Sequence, residues 1–252
     1  MWYSLYPFYV GFVNYDDGHK TEEVVKNEEE INVNSALINE LISYFDVTND
    51  NELSNLLAIY SSNEITSNAV SSEQKLMVVF KSLGVTCSGN EVVKGLEEIK
   101  SEARKIFNDD TFAEDLNISL DGYSITYNEI NNNYTIKLNS CPASEDFIVK
   151  SVVKATNADD EIYIYQAFGY FVKGPENKYF VYDSALKTNQ IGEFIDEAGT
   201  KEFKEVEKLK QFKWTFKKSS DNNYYFVSVT PVIWLNKRLR SVSYTHLRAH
   251  ET

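Results

Sequence analysis

The chain has 252 residues, 42% of them hydrophobic and 25% charged, and carries a net charge of −13. That length gives one large domain or two small ones, with about 70–75% of the unfolded surface removed from water. The acidic balance excludes nucleic acid, whose phosphates would be repelled, and argues against direct binding to an anionic membrane surface.

Residues 1–13 are apolar and aromatic. They are too few to span a bilayer, which takes about 20 residues, and they lack the basic n-region of a signal peptide. Three readings stay open: an extra strand or cover for the core, the outer end of a membrane anchor whose upstream part is missing, or a false start on a truncated fragment. Residues 14–30 are polar and acidic and read as a solvated linker or stalk. Asp16-Asp17-Gly18-His19 has no second set of spaced carboxylates behind it, so it is not an EF-hand loop.

Residues 31–118 read as a helical region. Ser35 caps a helix over 35–46, with Leu37, Ile38, Leu41, Ile42 and Phe45 on one face. Asn51 caps a second, with Leu53, Leu56, Leu57 and Tyr60 inward. Ser71 and Gln74 form a capping box for a third, which Gly84 ends. Ser88 and Glu91 repeat that signature for the longest helix, through about Asn108. Its apolar stripe is Val92, Leu96, Ile99, Ala103, Ile106 and Phe107.

Residues 119–232 read as an antiparallel β-meander. One hairpin joins 122–130 to 134–139 across Asn131-Asn132-Asn133. A second joins 147–156 to 161–173, and Gly174-Pro175-Glu176-Asn177 then turns the chain into 178–182. The last hairpin sets Phe212, Trp214 and Phe216 on one face against 224–230. Gly169, inside the longest run, is expected to mark a bulge or bend. Residues 187–208 interrupt the sheet and suggest short helical pieces around Gly199, a stretch where a site would sit. The fold class is therefore α+β, with N-terminal helices packed on a C-terminal antiparallel sheet. The many aromatics follow strand alternation, which indicates sheet packing rather than a stacking platform for sugars or bases.

Little chemistry is legible. The codons of residues 242–252 can be written to match a transposase-type sequencing adapter, which implies an open reading frame at the end of an assembled DNA fragment. Residues 233–252 are accordingly a doubtful tail. His246 and His250 fall in it, leaving His19 alone in the acidic linker. A Ser-His-Asp or Cys-His nucleophile then has no base, and a histidine-rich metal site has no ligands. No phosphate-binding loop is present, so no catalytic, cofactor or metal residue is assigned. Glu129, Glu145, Asp183 and Asp196 are the carboxylates that a glycosidase-like acid pair would draw on. Asp109-Asp110 and Asp159-Asp160 are read as solvated turns rather than calcium sites. Cys87 and Cys141 form one disulfide in an oxidising compartment and two buried thiols in a reducing one; the disulfide is the expectation.

The order of acidic stalk, Ile31-x-Val33-x-Ser35 opening a helix, further helices, then Trp214-Thr215-Phe216-Lys217-Lys218 and Tyr224-Tyr225-Phe226-Val227-Ser228-Val229 resembles uncharacterised, membrane-anchored extracellular proteins of low-GC Gram-positive gut bacteria. The resemblance covers most of residues 20–232. It implies an anchored protein on the extracellular face of the membrane, reaching the bilayer only through a missing N-terminal anchor. The layout is also similar to cystatin- or NTF2-like folds. The expected function is non-enzymatic binding or structure in the cell envelope, with a protein, peptide or polysaccharide as partner. The alternative is a small-molecule-binding or carboxylate-dependent hydrolytic domain with a pocket between helix and sheet.

Overall fold

Strand alternation in the second half and capped amphipathic segments in the first produce an α+β architecture. The computed structural model describes residues 28–45, 63–86, 89–113, 122–139, 145–184 and 186–232. Among these, three α-helices lie in the N-terminal half: α1 (Ala36–Ser43), α2 (Ser72–Ser82) and α3 (Leu96–Phe107). The strands are β1 (Glu29–Glu30), β2 (Ile65–Thr66), β3 (Glu91–Gly95), β4 (Tyr123–Asn128), β5 (Asn133–Leu138), β6 (Phe147–Ala158), β7 (Glu161–Lys173), β8 (Lys178–Tyr182), β9 (Gln190–Ile195), β10 (Lys210–Lys218) and β11 (Tyr224–Pro231). The second helix expected from Asn51, together with Cys87 and Cys141, lies outside the described residues.

The strands form two antiparallel sheets rather than one. The large sheet follows the path β1-β6-β7-β10-β11-β2, and β8 and β9 extend it from β7; β3-β5-β4 make the small sheet. β7 organises the large one. Along one edge it pairs with β6 from Glu161 to Phe171. Along the other it pairs first with β10, as far as Phe168, and then with β8, from Tyr170. Gly169 sits at this fork. The expected bulge is instead in β6, where the register shifts between Val152 and Lys154. Gly169 is needed for room: a Cβ there would stand 2.8 Å from Leu209 Cδ2, where the chain enters β10.

The caps behave as their residue types dictate. The Ser35 side chain accepts from Ile38 N–H, and Ser71 and Gln74 close a capping box on α2. Gly84 takes φ +92 after α2, with Val85 N–H returning to the Phe80 carbonyl as in a Schellman turn.

Two stretches correct the sequence reading. The longest helix does not start at Ser88: Glu91–Gly95 are strand β3, paired to β5, and α3 begins only at Leu96. Val92 and Val93 are β-branched and favour a pleated surface, and Gly95 breaks the run and stands as N-cap. Beyond it the stripe is as expected, with Ile99, Ala103, Ile106 and Phe107 buried. Phe194 and Ile195 are not helical either; they end strand β9. On α1, Leu37 turns outward while Ile38 and Leu41 are buried.

One face of the large sheet carries the main core. Phe212, Trp214, Phe216, Phe226, Ile162, Ile164 and Phe168 meet the inward faces of α1, α2 and α3. Phe45, just past α1, packs against Trp214 at 5.1 Å and Phe226 at 4.7 Å between ring centroids. The opposite face, at the fork, holds a smaller cluster of Phe147, Ala167, Phe171, Tyr179, Val181 and Leu209, flanked by Phe194, Phe203 and Val206. The Lys75 ammonium reaches Asp109 at 3.2 Å and lies over the rings of Phe107 and Phe112, fastening α2 to the end of α3.

Candidate functional site

The four carboxylates marked for acid–base chemistry take separate structural parts. Asp183 is buried and accepts from Asn189 Nδ2 at 3.1 Å and Lys210 Nζ at 3.3 Å. Asp196 is buried and caps a turn, its two oxygens taken by the Thr200 and Lys201 amides at 3.1 and 2.9 Å. Lys201 also reaches back with its ammonium to the Glu145 backbone carbonyl at 3.1 Å, so Glu145 and Asp196 share one stretch of surface. There the contact at Glu145 is main-chain, and the Asp196 oxygens are already engaged. Glu129 is exposed in the turn after β4. The arrangement builds turns, and it offers no acid pair facing a common space.

The Asp-rich turns are likewise engaged. Asp109 carries Lys75 and accepts from the Thr111 amide and hydroxyl. Burial works to raise its carboxyl, but these hydrogen bonds and the Lys75 charge outweigh it and hold the group below the usual range. Asp110 pairs with Arg104, and Asp160 with Lys217 at 3.6 Å. Among the described residues no group of three or more His, Cys, Asp or Glu could hold a metal ion. Asp146, which spacing did not single out, accepts from the Lys173 amide at 2.8 Å and pairs with Lys187 at 3.5 Å.

The face of β6, β7 and β10 turned away from the helices is tiled with tyrosine and lysine. Lys213 Nζ lies 4.9 Å from the Tyr163 ring centre, and Lys154 Nζ lies 5.4 Å from that of Tyr165. Tyr163 donates its hydroxyl to Glu161 at 2.5 Å. Burial, followed by the Glu28 charge, pushes the Tyr165 hydroxyl up to about 12, so it stays protonated at neutral pH. Lysine ammonium groups lie over these rings, which accords with sheet packing and cation–π contact rather than an open stacking slot.

On the helix side, between α1 and the edge of the large sheet, lies a groove of about 370 Å³. Ile42, Ile148 and Val152 form its apolar lining, with Asn39, Ser43, Lys150 and Gln166 as the polar members. Its walls follow from simple periodicity. Ile148, Lys150 and Val152 alternate along β6 and so share one face, while Asn39, Ile42 and Ser43 lie one turn apart on α1. Among the described residues no carboxylate lines it. A pocket between helix and sheet is part of the alternative reading, but its residues could not be named from the sequence, because neither α1 nor β6 carries a motif and only the pairing of the two creates it. No protein-family model, curated protein or solved structure matches the chain.

Proposed function

We propose that the chain is a non-enzymatic binding protein of the cell envelope, displayed on the extracellular face of the membrane, with a protein, peptide or polysaccharide as partner. The observation that carries this reading is the fate of the carboxylates. Those on the sheet side with a chemical candidacy are tied to backbone amides, to lysines or to solvent, and among the described residues none lines the groove between helix and sheet. A hydrolytic site needs two carboxyl groups across a substrate space. A binding surface needs only apolar side chains and backbone groups free to pair. Apolar side chains of that kind stand out from the described surface at Leu186, Ile191 and Ile195 around β9 and at Val93, Tyr127 and Ile130 on the small sheet. The surface display rests on the acidic stalk and the resemblance to anchored proteins.

The test incubates the purified protein with cell-wall polysaccharide and with peptide libraries, then measures both retention and products by mass spectrometry. Retention without new products is expected. Products that disappear in Asp183→Asn would establish the hydrolytic alternative. For location, intact Gram-positive cells carrying the full gene are treated with protease; loss of the protein while a cytoplasmic marker survives is expected, and protection of both would overturn the placement.

A further inference from the structure

β9 forms one margin of the large sheet. Among the described residues it pairs only with β8, and no strand lies along its other edge. Its lateral polarity is defined. Asp196 N–H donates to the Asn177 carbonyl, just before β8, at 3.0 Å. Peptide groups alternate in lateral direction along a strand. Phe194 and Gly192 therefore turn their backbone toward β8, and Ile195 and Glu193 turn theirs outward. The register shift lies at the Tyr182 end, so residues 192–195 run regular. The side chains alternate as well. Phe194 packs with Phe171, Tyr179 and Phe203 in the smaller cluster. Ile191, Glu193 and Ile195 lie on the other face, with Ile191 exposed and Ile195 62% exposed. Ile191 has no residue opposite it on β8, whereas Glu193 is paired with Lys178 Nζ at 2.6 Å. Native edges are commonly blunted by lysine, by proline or by brevity. β9 is six residues long, contains neither residue, and its one charge is already neutralised.

We propose that this edge is an interface between two copies of the chain, in which β9 pairs antiparallel with β9 of a second copy about a two-fold axis at Glu193. The order of side chains commits the edge to its own copy. Ile191 and Ile195 stand two residues to either side of Glu193. Antiparallel pairing centred there sets each Ile191 opposite an Ile195 of the other copy, as an isologous contact requires. The two Glu193 carboxylates meet at the axis, where bare like charges would repel. Each brings its own Lys178, so the axis holds two ion pairs side by side. A foreign strand would have to reproduce this spacing; a second copy has it by symmetry. The contact is small. One strand pair with two isoleucine contacts falls below the ~1,200 Å² of a standard interface, so association is weak and concentration-dependent. The inference goes beyond the binding reading: a second copy occupies the β9 patch and leaves the small-sheet patch for an outside partner.

The test is sedimentation equilibrium of the full chain from about 5 to about 500 μM, the range in which a contact this small dissociates. A monomer–dimer equilibrium is expected. Ile195→Lys should weaken it about tenfold or more, because the residue enters the interface twice. The added lysine lowers the net charge of −13, so a general loss of repulsion would act in the opposite direction. Lys178→Gln bares the two carboxylates and also weakens association. Register is read by cross-linking. Glu193→Cys places two thiols opposite each other at the ~5.5 Å Cα spacing of a hydrogen-bonded pair, which a disulfide accepts. On oxidation it should give a covalent dimer, whereas Gln190→Cys, which has no self-partner in this register, should not exceed the parent. A monomer at every concentration, association of Ile195→Lys equal to the parent, or equal cross-linking at 190 and 193 overturns the proposal. Protection of the Glu193 amide only when a peptide is added would assign the edge to a foreign strand and overturn it as well.

Discussion

Replacing Gly169 by alanine adds one methyl group at the fork where β7 exchanges β10 for β8 as its partner. The added Cβ would meet Leu209 Cδ2 at 2.8 Å and Phe171 Cε2 at 2.9 Å, and Leu209 Cδ1 at 3.4 Å. Leu209 is buried in the smaller cluster and Phe171 is fully enclosed, so neither has open space to retreat into. Overpacking of this kind costs about 1–3 kcal/mol. Alanine also reduces the freedom of the unfolded chain, which returns about 0.4–1 kcal/mol. The net expectation is a loss of about 1–2 kcal/mol, or roughly 2–8 °C in melting temperature for a chain of this size. The diagnostic is coupling to Leu209. Leu209→Ala alone leaves a cavity and costs about 2–4 kcal/mol, but in the double variant the alanine methyl has room. Urea denaturation of the two single variants and the double variant closes the cycle. The double variant is expected to be more stable than the sum of the singles by about 1 kcal/mol or more. Additivity within about 0.4 kcal/mol would refute the claim that Gly169 exists to admit Leu209.

Asp109→Ala leaves the Lys75 ammonium buried over two rings without its carboxylate, and should cost about 2–3 kcal/mol in chemical denaturation. Lys75→Met fills the same channel with an apolar chain and should fall within about 1 kcal/mol of the parent. The Asp109 carboxyl is held below its unfolded value, so its contribution is fully present above about pH 4 and is lost as pH falls through the folded value; the Asp109→Ala variant should show a flatter acid limb. Ser71→Ala removes one half of the α2 capping box and should cost about 1 kcal/mol by thermal melting. The cysteine bridge stands as a proposal. Cys87 and Cys141 both lie outside the described residues. Exported protein should resist thiol labelling until reduced, and reduction should cost up to about 4 kcal/mol; two reactive thiols before reduction would refute the bridge.

The features legible in the sequence are those set by neighbours in the chain. Ser71 with Gln74, the alternation of Phe212, Trp214 and Phe216, and the Asn-rich reversal between β4 and β5 each carry their structure in a few residues. The misreadings arise where a distant partner decides. Val92 fits a helical stripe and a strand equally well, and only pairing with Ile136 selects the strand. Phe194 joins β9 because Tyr179 lies opposite it. The residues of the groove were illegible for the same reason: α1 and β6 are more than a hundred residues apart, and neither announces the other. The carboxylates could be counted in the sequence, but their engagement with Lys201, Asn189 and Lys210 could not.

The fork in β7 divides the labour of the large sheet. Its first two-thirds are locked between β6 and β10 beneath the helical layer, while its end is joined to the β8–β9 ribbon, which leans on the smaller cluster and is tied back by the Asp183–Lys210 and Asp146–Lys187 pairs. A ribbon that shares no core with the helical layer is expected to open separately from it, with residue 169 as the dividing point. Local opening at that seam would loosen the β8–β9 ribbon, with its exposed Ile191 and Ile195, while leaving the helical layer in place.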